Sequence, residues 1–199
     1  MGISHGSVHA IVTKHLLYRK IFAQWVPYQL TEEQKTQRMA ASLGHLQRYH
    51  EEEYAFLSRI ATGDETWCHH FETINAQRYE DTLQKLRHAI KSKRPGMLSN
   101  GISLLHYNAR PHTANSVRNT LQRLGWEVLH HPPYSPDLSP CDFHIFGGLK
   151  RDIRGHRFAS DEDVCGWVKM WFRRQPTSFF KDRLISQWDK CINSFGDCF

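Results

Sequence analysis

The chain has 199 residues, 40% hydrophobic and 12% aromatic, enough for one domain with a sizeable core and too apolar for a disordered polypeptide. A formal charge of +6, with 14 histidines besides, fits a polyanionic partner, nucleic acid before membrane. Five scattered cysteines (Cys68, Cys141, Cys165, Cys191, Cys198) without a C-x-x-C pair disfavour a zinc knuckle or disulfide framework, and no apolar run or leader-like start points to a membrane, so a soluble intracellular protein is expected.

Along the chain, Ser4 is a candidate N-cap for a helix carrying Val8, Ile11, Val12 and His15 at helical spacing, with His5, Ser7 and His9 on its exposed face. A short helix after a Gly-Ile-Ser turn is also how a helix-turn-helix recognition helix begins. Residues 20–30 read as a linker containing the extended Trp25-Val26-Pro27, because Pro27 disfavours helix at Val26. Thr31 with Gln34 forms a capping-box pattern that starts a helix near residue 31, running with some irregularity to about 58.

Residues 59–71 read as a strand. Leu83, Leu86 and Ile90 then mark a helix that stops before Pro95-Gly96. A strand over 102–106, a helix over 113–124 closed by Gly125, and a third strand in "WEVLHH" follow. "PPYSPDLSPCDF" holds four prolines in twelve residues and predicts a rigid irregular loop. Beyond it, 142–154, 161–173 and 178–194 read as helices, the last with Trp188 and Ile192 on one face and Gly196 as terminator.

Three polar clusters fall at or just after strand ends: Asp64-Glu65, His106-Tyr107-Asn108, and Asp137 with Asp142. Carboxylates from neighbouring strand and helix ends are what a pair of Mg²⁺ ions needs, because hard cations take oxygen ligands and activate water for phosphodiester cleavage. Each residue also has a plainer role. Asp64 suits a turn after Gly63, Asp142 suits a helix N-cap, and Asp137 suits loop shaping better than ligation. Asn108, Arg110 and His112 suit either loop hydrogen bonds or phosphate, while Arg19, Lys20, Lys91, Lys93 and Arg94 suit either a phosphate backbone or solvated surface. His69 and His70 alternate faces, so at most one points to a site.

"TGDETW", "HYNARPHTA" and "HHPPYSPDLSPCDFHIF" resemble, in order, the motif blocks of the mariner branch of Tc1/mariner transposases; "ISHGSVH", "WVPYQLTEEQK", "TINAQRY" and "FGDCF" extend the likeness over the whole chain. The resemblance implies an α/β RNase H-like catalytic domain in which three aspartates hold two Mg²⁺ (or Mn²⁺) ions to cut and join DNA. By position it makes Asp64 the first ligand and Asp142 the third. The second place, an aspartate in the family block, is occupied by Tyr107, with the 34 residues between 107 and 142 characteristic of mariner enzymes.

A phenol titrates near 10 and is a neutral, poor Mg²⁺ ligand at pH 7. Two-metal catalysis is therefore expected to be lost or severely reduced, with residual cleavage through a stand-in such as Asp137 or Glu65 as a lesser alternative.

The resemblance further implies that Glu72 meets Thr73 where relatives carry a β-hairpin, leaving the sheet incomplete with an exposed edge. It divides the chain into a remnant of the second helix-turn-helix (1–19), a linker (20–30) and the catalytic domain (31–199, internally deleted near 72–73). It makes Ser4, His5, Ser7, His9, Arg110 and His112 DNA-contacting residues and Trp25, Val26 and Pro27 a protomer contact. The expected partners are DNA and a second copy of the chain, with no membrane or small-molecule substrate, and the expected location is the nucleus. The alternative function is a non-catalytic DNA-binding or dimerising module.

Overall fold

The computed structural model describes residues 29–64, 75–176, 179 and 183–199. The helix and cap expected over residues 4–19, the Trp25-Val26-Pro27 linker, Glu65 and the outer part of the first strand lie outside the described residues.

Helix α1 (Glu32–Glu52) begins at the expected capping box: the Thr31 hydroxyl accepts from the Gln34 N–H (3.2 Å), and the Gln34 side chain accepts from the Thr31 N–H (2.9 Å). It breaks earlier than expected, at Glu53 with φ 47°, and a separate short helix α2 (Tyr54–Arg59) leads into strand β1 (Ile60–Thr62).

Next, α3 (Ala76–Lys93) is capped by the Asn75 side chain and is followed by an unanticipated turn of helix, α4 (Pro95–Ser99). Pro95 acts there as a first-turn residue as well as a stop, because its missing N–H would be unpaired in any first turn. Strand β2 (Ser103–Leu105) follows. Helix α5 (Asn115–Leu124) starts two residues late because the Thr113 N–H turns back to Ala109 O (3.1 Å); Gly125 closes it at φ 66°.

Strand β3 (Glu127–Val128) completes a parallel sheet of order β1-β2-β3. The Pro-rich loop contains a 3₁₀ turn (Pro136–Leu138) and runs into a π-helical turn (Cys141–Phe146), which continues as α6 (Gly147–Asp152). Helix α7 (Asp161–Arg174), with a Ser160–Asp163 capping box, and α8 (Arg183–Asn193) finish the chain.

Successive side chains of β2 point to opposite faces, and both faces are covered. Leu104 joins Tyr79, Leu83, Ile90, Val117, Leu121 and Trp126 beneath α3 and α5. Leu105 joins Leu46, Phe56, Leu129, Leu138, Trp188 and Cys191 beneath α1, α2 and α8. A short apolar strand buried on two sides is what a parallel sheet between helices demands. Among the described residues β1 has a strand neighbour on one side only.

Candidate active site

The parallel register pairs Thr62 with Leu105, so Asp64 and Tyr107 stand at equal offsets, two residues past the carboxyl ends of adjacent strands. Neighbouring strands lie about 4.8 Å apart, so this register sets the two positions side by side. The third position arrives from the π-helical turn, which is tied to the end of β1 by the Thr62 Oγ1 to Cys141 Sγ contact (3.7 Å). In it Asp142 is not the helix N-cap. Pro140 holds that position, and the Asp142 N–H already bonds Ser139 O (3.0 Å), so its carboxylate is left to the site.

Into this corner the Tyr107 hydroxyl donates a hydrogen bond to Asp142 Oδ2. Its ring meets His131 edge-on, with centroids 4.7 Å apart, and its carbonyl accepts from His112 Nδ1 (3.0 Å). Burial pushes the phenol pKa far above its ordinary value, and the hydrogen bond and negative charge of Asp142, with that of Asp64, push it the same way. Tyr107 is thus neutral throughout the physiological range, and its proton is given to Asp142.

These residues do not fit a pair of divalent ions. A bridging ligand must be anionic and free to accept, whereas this one is a donor that occupies an Asp142 oxygen. Among the described residues, no group of three or more His, Cys, Asp or Glu side chains is placed to hold a metal ion.

Asp137 is corrected as a stand-in ligand. It is buried and held bidentately by Arg38, Nη1 to Oδ1 at 2.8 Å and Nη2 to Oδ2 at 2.5 Å. Arg38, itself fully buried, uses Nε on Gly196 O (2.7 Å), so the pair fastens loop and C-terminal tail to α1.

His112, expected at DNA, is placed inside the fold. It is 3% exposed, stacked 4.0 Å from Tyr79 and committed to the Tyr107 carbonyl. Asn108 Nδ2 bonds His131 O (2.6 Å), a hydrogen bond within the loops, while Arg110 is exposed. Ser4, His5, Ser7 and His9 lie outside the described residues.

Two residues escaped sequence reasoning. Arg38 carries no signal beyond its place on a helix face, and His131 lay unremarked within "HHPP". His131 is buried with Nε2 lacking a hydrogen-bond partner, and burial pushes its pKa down to about 4, with neighbouring His130, His45 and Arg38 adding to the effect.

Asp64 and Tyr107 at the carboxyl ends of adjacent parallel strands, Asp142 on the helical run after the last strand, and helices on both sheet faces define an RNase H-like domain. Residues 31–175 match the family described as DDE superfamily endonuclease, and the chain belongs to that family, within it to the mariner transposase type.

The chain is 31% identical to the Mariner Mos1 transposase of Drosophila mauritiana over 87% of this chain and 65% of that protein. It is 30% identical to the human histone-lysine N-methyltransferase SETMAR over 96% of this chain and 36% of that protein. It therefore spans less than two thirds of either relative. The SETMAR alignment runs over 246 positions, more than the 199 residues present here, so that relative carries segments this chain lacks.

The crystal structure of the Mos1 catalytic domain superposes with a TM-score of 0.81 at 35% identity, covering 88% of this chain and all of that one. A Mos1 paired-end complex with Mn superposes with a TM-score of 0.78 at 29% identity, covering 99% of this chain and 72% of that one. The same catalytic domain is known with Raltegravir and Mg, at a TM-score of 0.80 and 34% identity over 86% of this chain and all of that one.

Proposed function

We propose that this chain is a mariner-type transposase domain whose two-metal nuclease chemistry has lapsed and whose remaining capacity is to bind DNA without cutting it. One observation carries the reading: the Tyr107 hydroxyl donates to the Asp142 carboxylate at the point where a shared anionic ligand would be required. Mn and Mg accompany Mos1 structures, which supports divalent metal as the family's cofactor; the donor set here lacks the negative charge to hold such a pair. Because function resides in the site and not the scaffold, the fold persists while its chemistry does not.

The DNA-binding half of the reading draws on the +6 charge and on the complexes of Mos1 with paired transposon ends. A nuclear location, a homodimer contact through Trp25, Val26 and Pro27, the division at residues 19 and 30, and contacts by Ser4, His5, Ser7 and His9 belong to the same proposal.

The experiment is plasmid nicking. Purified protein with Mg²⁺ or Mn²⁺ leaves supercoiled DNA intact, and Tyr107→Asp alone does not restore cutting, because the hairpin expected beside β1 is missing as well. Metal-dependent nicking by the unaltered chain that disappears in Asp64→Ala would overturn the reading.

A further inference from the structure

Two of the cation groups on the described surface differ in their pairing. Around α1 they are paired: Lys35 with Glu32 (3.4 Å) and Asp197 (2.9 Å), Arg48 with Glu127 (2.5 Å) and Glu52 (3.3 Å), and Arg59 with Glu52. On α6 and the segment after it, Arg151 reaches Asp152 (3.1 Å), whereas Lys150, Arg154 and Arg157 are exposed and have no ion-pair partner among the described residues.

Helical hydrogen bonding runs past α6, Ile153 N–H to Leu149 O (2.9 Å) and Arg154 N–H to Arg151 O (3.3 Å), before Gly155 turns the chain at φ 85°. Lys150 and Arg154 are thus like charges four residues apart on one helical side, an arrangement that is unfavourable unless an anion lies over it.

Beside this row stands an aromatic ledge. The exposed ring of His156 lies 5.3 Å from Trp167 and 6.1 Å from Phe158, both only partly buried. Trp167 belongs to α7, whose Trp171 packs against Gly148 and donates Nε1 to Asp152 (2.8 Å). Row and ledge are therefore held in fixed relation. The row starts at Lys150, eight residues beyond Asp142 along one continuous helical run and roughly 12 Å from it at 1.5 Å per residue.

We propose that Lys150, Arg154 and Arg157 with the His156–Trp167 ledge form a contact surface for single-stranded nucleic acid leading away from the acidic corner. The cations match a phosphate backbone, and the rings offer a face for an unpaired base, which a duplex keeps stacked inside. This surface does not depend on whether the acidic corner cuts DNA, so its test is run in EDTA.

Fluorescence anisotropy with a labelled oligothymidylate and a duplex of equal length provides the readout. The variant K150E/R154E/R157E lowers the slope of log affinity against log salt on the single strand by about 2, at about 0.7 for each phosphate that is no longer neutralised. His156→Ala weakens single-strand binding about tenfold and leaves duplex binding unchanged, because one base is deprived of its stacking partner. All four side chains are exposed, and circular dichroism confirms that the variants fold. A triple variant with the wild-type slope, or a His156→Ala protein that binds the single strand as tightly as wild type, overturns the proposal.

Discussion

Tyr107 closes its corner by a single hydrogen bond to the Asp142 carboxylate. Tyr107→Phe removes the donor and leaves a partly buried Asp142 oxygen unmet, at a cost of about 1–2 kcal/mol in urea unfolding. Tyr107→Asp costs more, since it sets a third carboxylate beside Asp64 and Asp142 with no cation to offset the repulsion. A Tyr107→Asp protein more stable than Tyr107→Phe in EDTA would contradict this ordering. His131 supplies the pH dependence. Its native pKa of about 4 lies below the unfolded value near 6.5, so the unfolded chain takes up a proton first as pH falls. The stability linked to it is full above pH 6.5 and is lost between 6.5 and 4, by roughly 3 kcal/mol. The urea midpoint measured from pH 7 to 4.5 falls accordingly, and His131→Leu flattens that fall.

Among the elements, α1 is the one whose start the sequence specified most sharply, through two reciprocal hydrogen bonds. Thr31→Ala removes the side-chain acceptor and costs about 1 kcal/mol, a drop of about 3 °C in the thermal midpoint of a chain of this size. The π-helical turn had no comparable signal. A wider turn over Cys141–Phe146 carries Asp142 off the N-cap position that a regular helix start would have given it. Pro-rich spacing forecast rigidity in the preceding loop but not this geometry.

At the scale of the molecule, the Arg38–Asp137 pair closes the structure by joining α1, the loop that leads to Asp142, and the C-terminal tail at Gly196. Arg38→Ala strands a buried carboxylate and costs about 3–5 kcal/mol by chemical denaturation, whereas the double change Arg38→Met/Asp137→Leu costs far less because no charge is left unpaired. The tail is seated closely as well: a Cβ at Gly196, where φ is 81°, would approach the backbone oxygen of Lys35 to 2.5 Å.

Sequence alone determined what depends on residue type and short-range order: the Thr31–Gln34 capping box, Gly125 as a helix stop, the apolar β2 strand, and the ordered motif blocks with a tyrosine at position 107. These are written in neighbouring residues, whose spacing along a helix or strand fixes their geometry. Only the tertiary structure decided that Asp137 is bound to Arg38, that His112 is sealed against Tyr79, and that the Tyr107 proton is given to Asp142. Those pairings join residues 99, 33 and 35 positions apart, and which acids stay free to accept is settled by what packing brings against them, a contest that no local pattern records.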